Sequence, residues 1–259
     1  MVRSSARKRT FAEWRTLIAN RVFGNTPLLG WISSAKWGIY PFLVRRLPWL
    51  AIAIHEPEST GAFWNAIEPG MYVVDGGANM GGFSLLASKR AGATGRVFAF
   101  EPEPRNFERL CEKLRPYPNV IPVQSALSSK SGHAVLHLTS FHAGHSLVND
   151  VATGGPTVTV PMTSLDDFVR QHSLPGLDVV KLDVEGVELE VLDGMQQIFS
   201  GSRRPTFLIE VHVPIRPEDV IAKLEPHGYR CHMLDAELDG SIHVVPVHVF
   251  GLPIERARQ

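Results

Sequence analysis

The chain has 259 residues, an ordinary apolar fraction and equal numbers of acidic and basic side chains. That length fits one α/β domain, or one domain with a modest extension, and it can bury a real core. Zero net charge makes no overall case for a nucleic-acid partner. Two distant cysteines, Cys111 and Cys231, lie outside any CxxC or metal-ligand spacing and point to a reduced, cytosolic chain.

The first fifty residues hold nine basic side chains, from Arg3 to Arg46, against Glu13 alone, so the remainder is acidic on balance. Such asymmetry suits a surface that meets anions such as lipid head groups. Phe11, Trp14, Leu17, Ile18 and Val22 fall near helical spacing with arginines between them. Residues 1–55 therefore read as a basic N-terminal helical extension. Two uses fit its apolar stripe: packing on the main domain, which is the commoner, or peripheral contact with the inner membrane face. The basic start does not lead into a signal-peptide pattern. The most apolar run, "LPWLAIAI" from Leu47 to Ile54, is shorter than the roughly 20 residues a membrane span needs.

Residues 56–259 form the main domain, and from Gly70 strand and helix alternate. "MYVVD" is a β-branched run ending in a glycine turn, "FSLLASKRAG" a helix, "RVFAFE" a strand, "RNFERLCEKLR" a helix and "NVIPVQSA" a third strand. This spacing predicts parallel βαβ units. "HAVLHLTS" and "TVTVPM" alternate as strands. "TSLDDFVRQHS" predicts a helix capped by Thr163 or Ser164. "LDVVKLDVEG" and "PTFLIEVHV" are buried strands, each followed by a helix, the second with Pro217 in its first turn. "YRCHML" and "IHVVPVHVF" close the sheet as an antiparallel pair.

"VVDGGANMGG", Val73 to Gly82, is the most informative stretch. Ligands of an open parallel sheet bind beyond the carboxyl ends of its strands. Asp75 occupies such an end, and Gly76 and Gly77 let the backbone bend sharply. The G-x-G-x-x-G spacing that cradles a pyrophosphate is missing. A carboxylate ahead of the turn would repel phosphate and suit an ammonium. That favours S-adenosylmethionine, which carries an amino group and a sulfonium but no phosphate. Glu101, about 20 to 25 residues after the loop and at the end of the second strand, is placed to accept two ribose hydroxyls. Pro102 and Pro104 stiffen its loop. Asn106 reads as a helix-start residue. Ser125 and Ala126 end the third strand near the expected adenine.

"VVDGGANMGGFS", "VFAFEPEPRNFERL", "VVKLDVEGVELEVLDGM" and "FLIEVH", in that order and spacing, resemble the FkbM family of S-adenosylmethionine-dependent methyltransferases. The resemblance covers about residues 70 to 235 and is sharpest where Asn79 replaces a middle glycine. It implies a Rossmann-like class I methyltransferase fold, whose seven-stranded sheet is mostly parallel with an antiparallel last strand. It also implies methyl transfer to an acceptor, commonly a hydroxyl of a sugar or natural product. Carried onto this chain, the cofactor loop is Asp75, Gly77, Ala78, Asn79 and Gly81, the ribose acid is Glu101, and Asp183 is a second cofactor-side acid.

Methyl transfer needs an aligned acceptor and a group to take its proton. Lys181, Asp183 and Glu185 alternate toward one side of an extended strand, and Glu210 and His212 do so on the next. His212 is the first choice of base, because an ordinary imidazole titrates near neutrality. Asp183, Glu185 or Glu210 are the alternatives, or orient the histidine. Lys181 pairs with these acids or holds an anionic acceptor group. Asp183, Glu210 and His212 also suit a divalent ion, but no dedicated ligand spacing is present, and no metal is expected. His142 and His145 read as part of an acceptor-side loop, and Glu188 as a solvated acid beside core residues. The acceptor expected is a glycan or small molecule. The rivals are carboxyl or amide-nitrogen methylation, a nucleotide-dependent oxidoreductase and a non-catalytic binding module.

Overall fold

The structure is a computed structural model that describes residues 57–138, 156–234 and 247–256. The proposed N-terminal helix, the "LPWLAIAI" run and the His142–His145 loop lie outside the described residues. Among the described residues, ten strands form two sheets. The larger is built from β1 (Tyr72–Gly76), β2 (Arg96–Phe100), β3 (Val120–Val123), β7 (Val179–Leu182), β8 (Thr206–Val211), β9 (Tyr229–Leu234) and β10 (Val247–Pro253). Its order is β3-β2-β1-β7-β8-β10-β9. β1, β2, β3, β7 and β8 pair in parallel, while β10 runs antiparallel to both β8 and β9. The antiparallel last strand expected from the sequence is therefore present, inserted between its neighbours.

Strand alternation divides the core between the two faces of the sheet. Val73, Val97, Ala99, Val179 and Leu208 face one side with α1 (Pro57–Ala66), α2 (Gly82–Ala91) and α3 (Pro104–Leu114). Val74, Phe98, Phe100, Val180, Phe207 and Ile209 face the other. That side is covered by α4 (Leu165–Gln171), α5 (Glu188–Asp193), α6 (Gln196–Ser200) and α7 (Pro217–Leu224). Phe168 of α4 packs edge-on against Phe98 and Phe100, with centroids 5.2 and 4.9 Å away. Burial on both faces explains why the central strands read as continuous apolar runs.

Local chemistry sets the helix ends. Ser164 Oγ accepts the Asp167 N–H at 3.1 Å and starts α4, which decides between the two expected caps. Pro217 opens α7 as expected. α3 is capped by Glu103, whose carboxylate accepts the Asn106 N–H at 2.7 Å, and Asn106 lies buried in its first turn.

The expected third strand is a correction. "NVIPVQSA" splits into β3 and the short β4 (Ala126–Leu127). Pro122 cannot donate to a ladder, but β3 is an edge strand and tolerates it. The Ser125 N–H then bonds back to Val123 O at 3.0 Å and turns the chain out of the sheet. β4 joins β5 (Gly132–His137) and β6 (Thr157–Thr163) in a separate three-stranded sheet. Among the described residues no helix is long and apolar enough to cross a membrane.

The strand order reverses between β1 and β7, and there the two strand ends press together. The Asp183 N–H donates to Gly76 O at 3.0 Å. A Cβ on Gly77 would lie 1.8 Å from the Asp183 carbonyl oxygen, and one on Gly76 would lie 2.8 Å from Leu127. Gly77 also has φ +74°. The bare backbone is thus demanded by the protein's own chain. Gly77→Ala should cost more than about 4 kcal/mol, because backbone must move. Gly92→Ala, with φ +67° but open space, should cost only about 1–2 kcal/mol of left-handed strain. Urea denaturation of the two variants against wild type measures the difference.

Candidate active site

The loop after β1 is tied to the end of β2. The Gly77 and Ala78 N–H groups both donate to Phe100 O, at 3.1 and 2.8 Å. The next N–H, of Asn79, donates to Glu101 Oε2 at 2.9 Å, and that of Gly81 to Ala78 O at 2.7 Å. A phosphate cradle needs free, convergent N–H groups. Here four loop N–H groups are already used within the chain. Asn79 takes φ +45°, a left-handed conformation that asparagine tolerates, which accounts for asparagine in a glycine-rich turn.

Glu101 closes this arrangement from the end of β2. Its Oε1 accepts the Glu103 N–H at 3.0 Å, and the side chain is almost fully buried. Burial pushes its carboxyl up to about 7, against the pull of the Glu103 and Asn79 N–H groups. Each oxygen retains a lone pair for a hydroxyl donor. Pro102 follows, partly exposed.

Two expectations for the cofactor side are revised. Asp75 has no solvent exposure. Its Oδ2 accepts the Ser84 hydroxyl at 2.6 Å, and its Oδ1 lies 3.5 Å from Lys181 Nζ. The ammonium that this carboxylate meets belongs to its own chain, so it does not stand open to a ligand. Ser125 is buried too, and its hydroxyl lies 3.0 Å from Ala126 O and 3.3 Å from Pro161 O. It holds the β3–β4 junction to β6, with Ala126 buried beside it.

The acids and His212 expected at the ends of β7 and β8 converge. Asp183 follows β7, and Glu185 turns the chain with φ +55°. Glu210 lies in β8, and His212 follows it. His212 Nε2 lies 3.6 Å from Asp183 Oδ1, 3.7 Å from Glu185 Oε2 and 3.5 Å from Glu210 Oε1. Behind Glu210, the buried His248 of β10 lies 3.5 Å from Glu210 Oε2. Lys181 is not an acceptor-holding cation. It is 2 % exposed, donates to Asp183 Oδ2 at 3.0 Å and packs 5.1 Å from the Phe83 ring centroid. Burial alone would lower its pKa, but Asp183, Asp75 and Glu210 outweigh that and raise it.

Two residues here escaped the sequence. Ser84 is the partner of Asp75. Glu188, read as a solvated acid, is fully buried, with Oε1 2.9 Å from His212 Nδ1. Its signal was present: Glu188, Val191 and Leu192 share one helical stripe, and that stripe faces the core.

These surroundings also revise the choice of base. Burial alone would lower the His212 pKa. Hydrogen bonds with Glu188 and Glu210, and the charges of Asp183 and Glu185, push it up to about 11. An imidazolium has no lone pair with which to take a proton. Burial pushes Glu185 up to about 7, against the charge of His212. Burial would raise Glu210 as well, but hydrogen bonds from His212 and His248 hold it below the usual carboxylate range. Asp183, Glu185 and His212 also offer ligand atoms within 4.8 Å of one another. A metal ion there would first have to displace the proton of His212.

The strand order, the switch-point loop and the acid after the second strand define a class I, Rossmann-like methyltransferase fold. The methyltransferase FkbM domain matches residues 75–231, more than half of the chain, and the protein belongs to that family. Hexuronic acid methyltransferase AglP of Haloferax volcanii is 33% identical over 172 residues, covering 66% of this chain. The match spans 64% of that relative's own length, less than two thirds. Methyltransferase sdnD of Sordaria araneosa is 30% identical, over 61% of this chain and 73% of its own. The 2-O-methyltransferase NoeI of Sinorhizobium fredii is 25% identical, over 65% and 77%.

The raised His212 pKa has a definite sign for stability. The charged ring contributes fully below pH about 6.5, the ordinary imidazole value. That contribution is lost as pH rises toward about 11. The His212 ring should therefore remain an imidazolium at pH 8, and its ring nitrogen shifts in NMR spectra measure this. Neutral-imidazole shifts at that pH would contradict the arrangement of carboxylates around it.

Proposed function

We propose that this protein transfers the methyl group of S-adenosylmethionine to a hydroxyl oxygen of a saccharide-type acceptor. The observation that carries the reading is the placing of two carboxylate sites on either side of the β1 strand end. Glu101 receives the loop at β2, and a proton-sharing cluster stands beyond β7 and β8. The donor set fits the cofactor. Carboxylates and a loop whose N–H groups are occupied suit hydroxyls and a cation, and suit pyrophosphate poorly. The same feature disfavours the oxidoreductase reading.

Glu101 would hold the ribose hydroxyls. The backbone of Gly76, Gly77, Ala78, Asn79 and Gly81, with Pro102 and Ala126, would line the nucleoside side, and Asp183 would face the remainder. When bound, the cofactor supplies an electrophilic methyl on a sulfonium. The chain's own task is then to align a hydroxyl and take its proton. Glu185 is the base in this reading, since its carboxylate is half ionised near neutral pH. His212, as an imidazolium, holds the carboxylates together and keeps Glu185 from rising further. The proton leaves the acceptor oxygen for Glu185 as the oxygen gains its methyl group. Two relatives support the reading: one is named for a hexuronic acid, a saccharide, and another for 2-O-methylation, which names the oxygen. The protein's place in this reading is cytoplasmic, in keeping with two free thiols.

Two experiments test it. Calorimetry with S-adenosylmethionine should give a dissociation constant weakened at least about 100-fold by Glu101→Ala, the loss of a charged group that accepts two hydroxyls. Unchanged affinity would remove the ribose assignment. With labelled cofactor and fractionated cell glycans, the methyl group should enter a saccharide fraction, at a rate that rises with pH through about 7. Glu185→Gln should lower that rate about 10²–10⁴-fold with cofactor affinity retained. Label confined to protein or to carboxyl groups would overturn the acceptor.

A further inference from the structure

The turn between β7 and α5 does more than reverse the chain. Glu185 and Gly186 both adopt left-handed conformations, with φ of +55° and +97°. They bring the chain round so that the first residue of α5, Glu188, lies behind the reactive edge. Its Oε1 accepts the Gly186 N–H at 3.0 Å, so the turn itself holds the carboxylate in place. The same oxygen lies 2.9 Å from His212 Nδ1. Among the described residues its Oε2 has no hydrogen-bond partner. A carboxylate with no exposure, set in a stripe with Val191 and Leu192, is a costly choice where an apolar side chain would pack. Its polar contacts account for only one of its oxygens.

An imidazole presents different atoms as its ring turns. When Nδ1–H is committed to Glu188, the other nitrogen must face away, toward Asp183, Glu185 and Glu210. His212 is partly exposed and follows the last residue of β8, so the strand ladder does not fix its ring. Among the described residues the other charged or titratable groups nearby are Lys181, engaged with Asp183 and Asp75, and His248, behind Glu210. Glu188 meets His212 at Nδ1, whereas Asp183, Glu185 and Glu210 lie on its Nε2 side.

We propose that Glu188 is a positioning residue for the methyl transfer: it binds the Nδ1–H of His212 and thereby aims Nε2 at the carboxylate that takes the acceptor's proton. The proposal rests on the reading of Glu185 as that carboxylate. It adds a residue that touches neither cofactor nor acceptor.

The test uses the full chain. Wild-type protein should show a downfield, hydrogen-bonded Nδ1–H proton in its NMR spectrum, assigned by its loss in His212→Gln. Glu188→Met, apolar and of similar length, should abolish that resonance. It should also lower kcat for labelled methyl transfer at least tenfold, with KM and cofactor affinity within threefold of wild type. Glu188→Gln, which keeps one acceptor oxygen, should restore part of both. A purely structural role would lower the folded fraction and leave kcat per folded molecule unchanged, and that result overturns the proposal. So does a wild-type His212 without a bonded Nδ1–H, which decides the matter even if Glu188→Met fails to fold. The spectrum needs no acceptor. If it behaves as expected while no saccharide takes label, the proposed function fails and the Glu188–His212 contact stands.

Discussion

The site depends on the closeness of two strand ends. Where β1 and β7 stop, the Gly76–Gly77 backbone lies directly against the backbone of Asp183, with no room for a single methyl group between them. This contact fixes the offset between the loop that leads to α2 and the turn that leads to α5. Those segments leave toward opposite faces, because the chain reverses direction of strand addition here. One close approach therefore sets the distance between the Glu101 side of the site and the His212 side.

Lys181 makes that approach possible electrostatically. Asp75 and Asp183 end adjacent strands, and two carboxylates at such separation would repel one another in a buried setting. The Lys181 ammonium stands between them, 3.5 Å from one and 3.0 Å from the other, with an aromatic face behind it. Burying a charge costs several kcal/mol unless it is paired, and each of these groups is paired. Asp75 supports the loop after β1 indirectly, by holding Ser84 in the first turn of α2 and Lys181 near the end of β7.

Much of this was legible in the sequence. Apolar runs ending in single acids marked β1, β2, β7 and β8. The glycines after Asp75 marked the switch point, and the interval to Glu101 marked the end of the second strand. What the sequence could not reveal was the object of each feature. A glycine that avoids a ligand and a glycine that avoids a neighbouring carbonyl look alike in one dimension. So do an acid that faces a ligand's ammonium and one that faces Lys181. Pro122 was compatible with a continuous third strand, and only the back-bond of Ser125 ends it. Glu188 was misread because helical periodicity was applied to its apolar neighbours and not to itself. His212 was chosen by its ordinary pKa, a property that belongs to the isolated residue. Four carboxylates contributed from three separate elements change it, and their convergence is a tertiary fact.

That convergence has a consequence beyond His212. Asp75, Asp183, Glu185, Glu188 and Glu210 crowd around two cations, Lys181 and His212, so negative charge is in surplus. Burial disfavours the charged form of each carboxyl, and like charges nearby add to that effect. Lys181 serves Asp183, and the two histidines serve Glu210. Glu185 stands at the turn after β7, with its Oε2 3.7 Å from His212 Nε2. Burial, with the charges of Asp183, Glu210 and Glu188 added to it, thus raises Glu185 to about 7 against the charge of His212, and burial raises Asp183 as well. The same surplus favours a cationic partner over the strand ends and disfavours an anionic group placed directly against the cluster. An acceptor bearing a carboxylate would therefore have to turn that group away from Glu185.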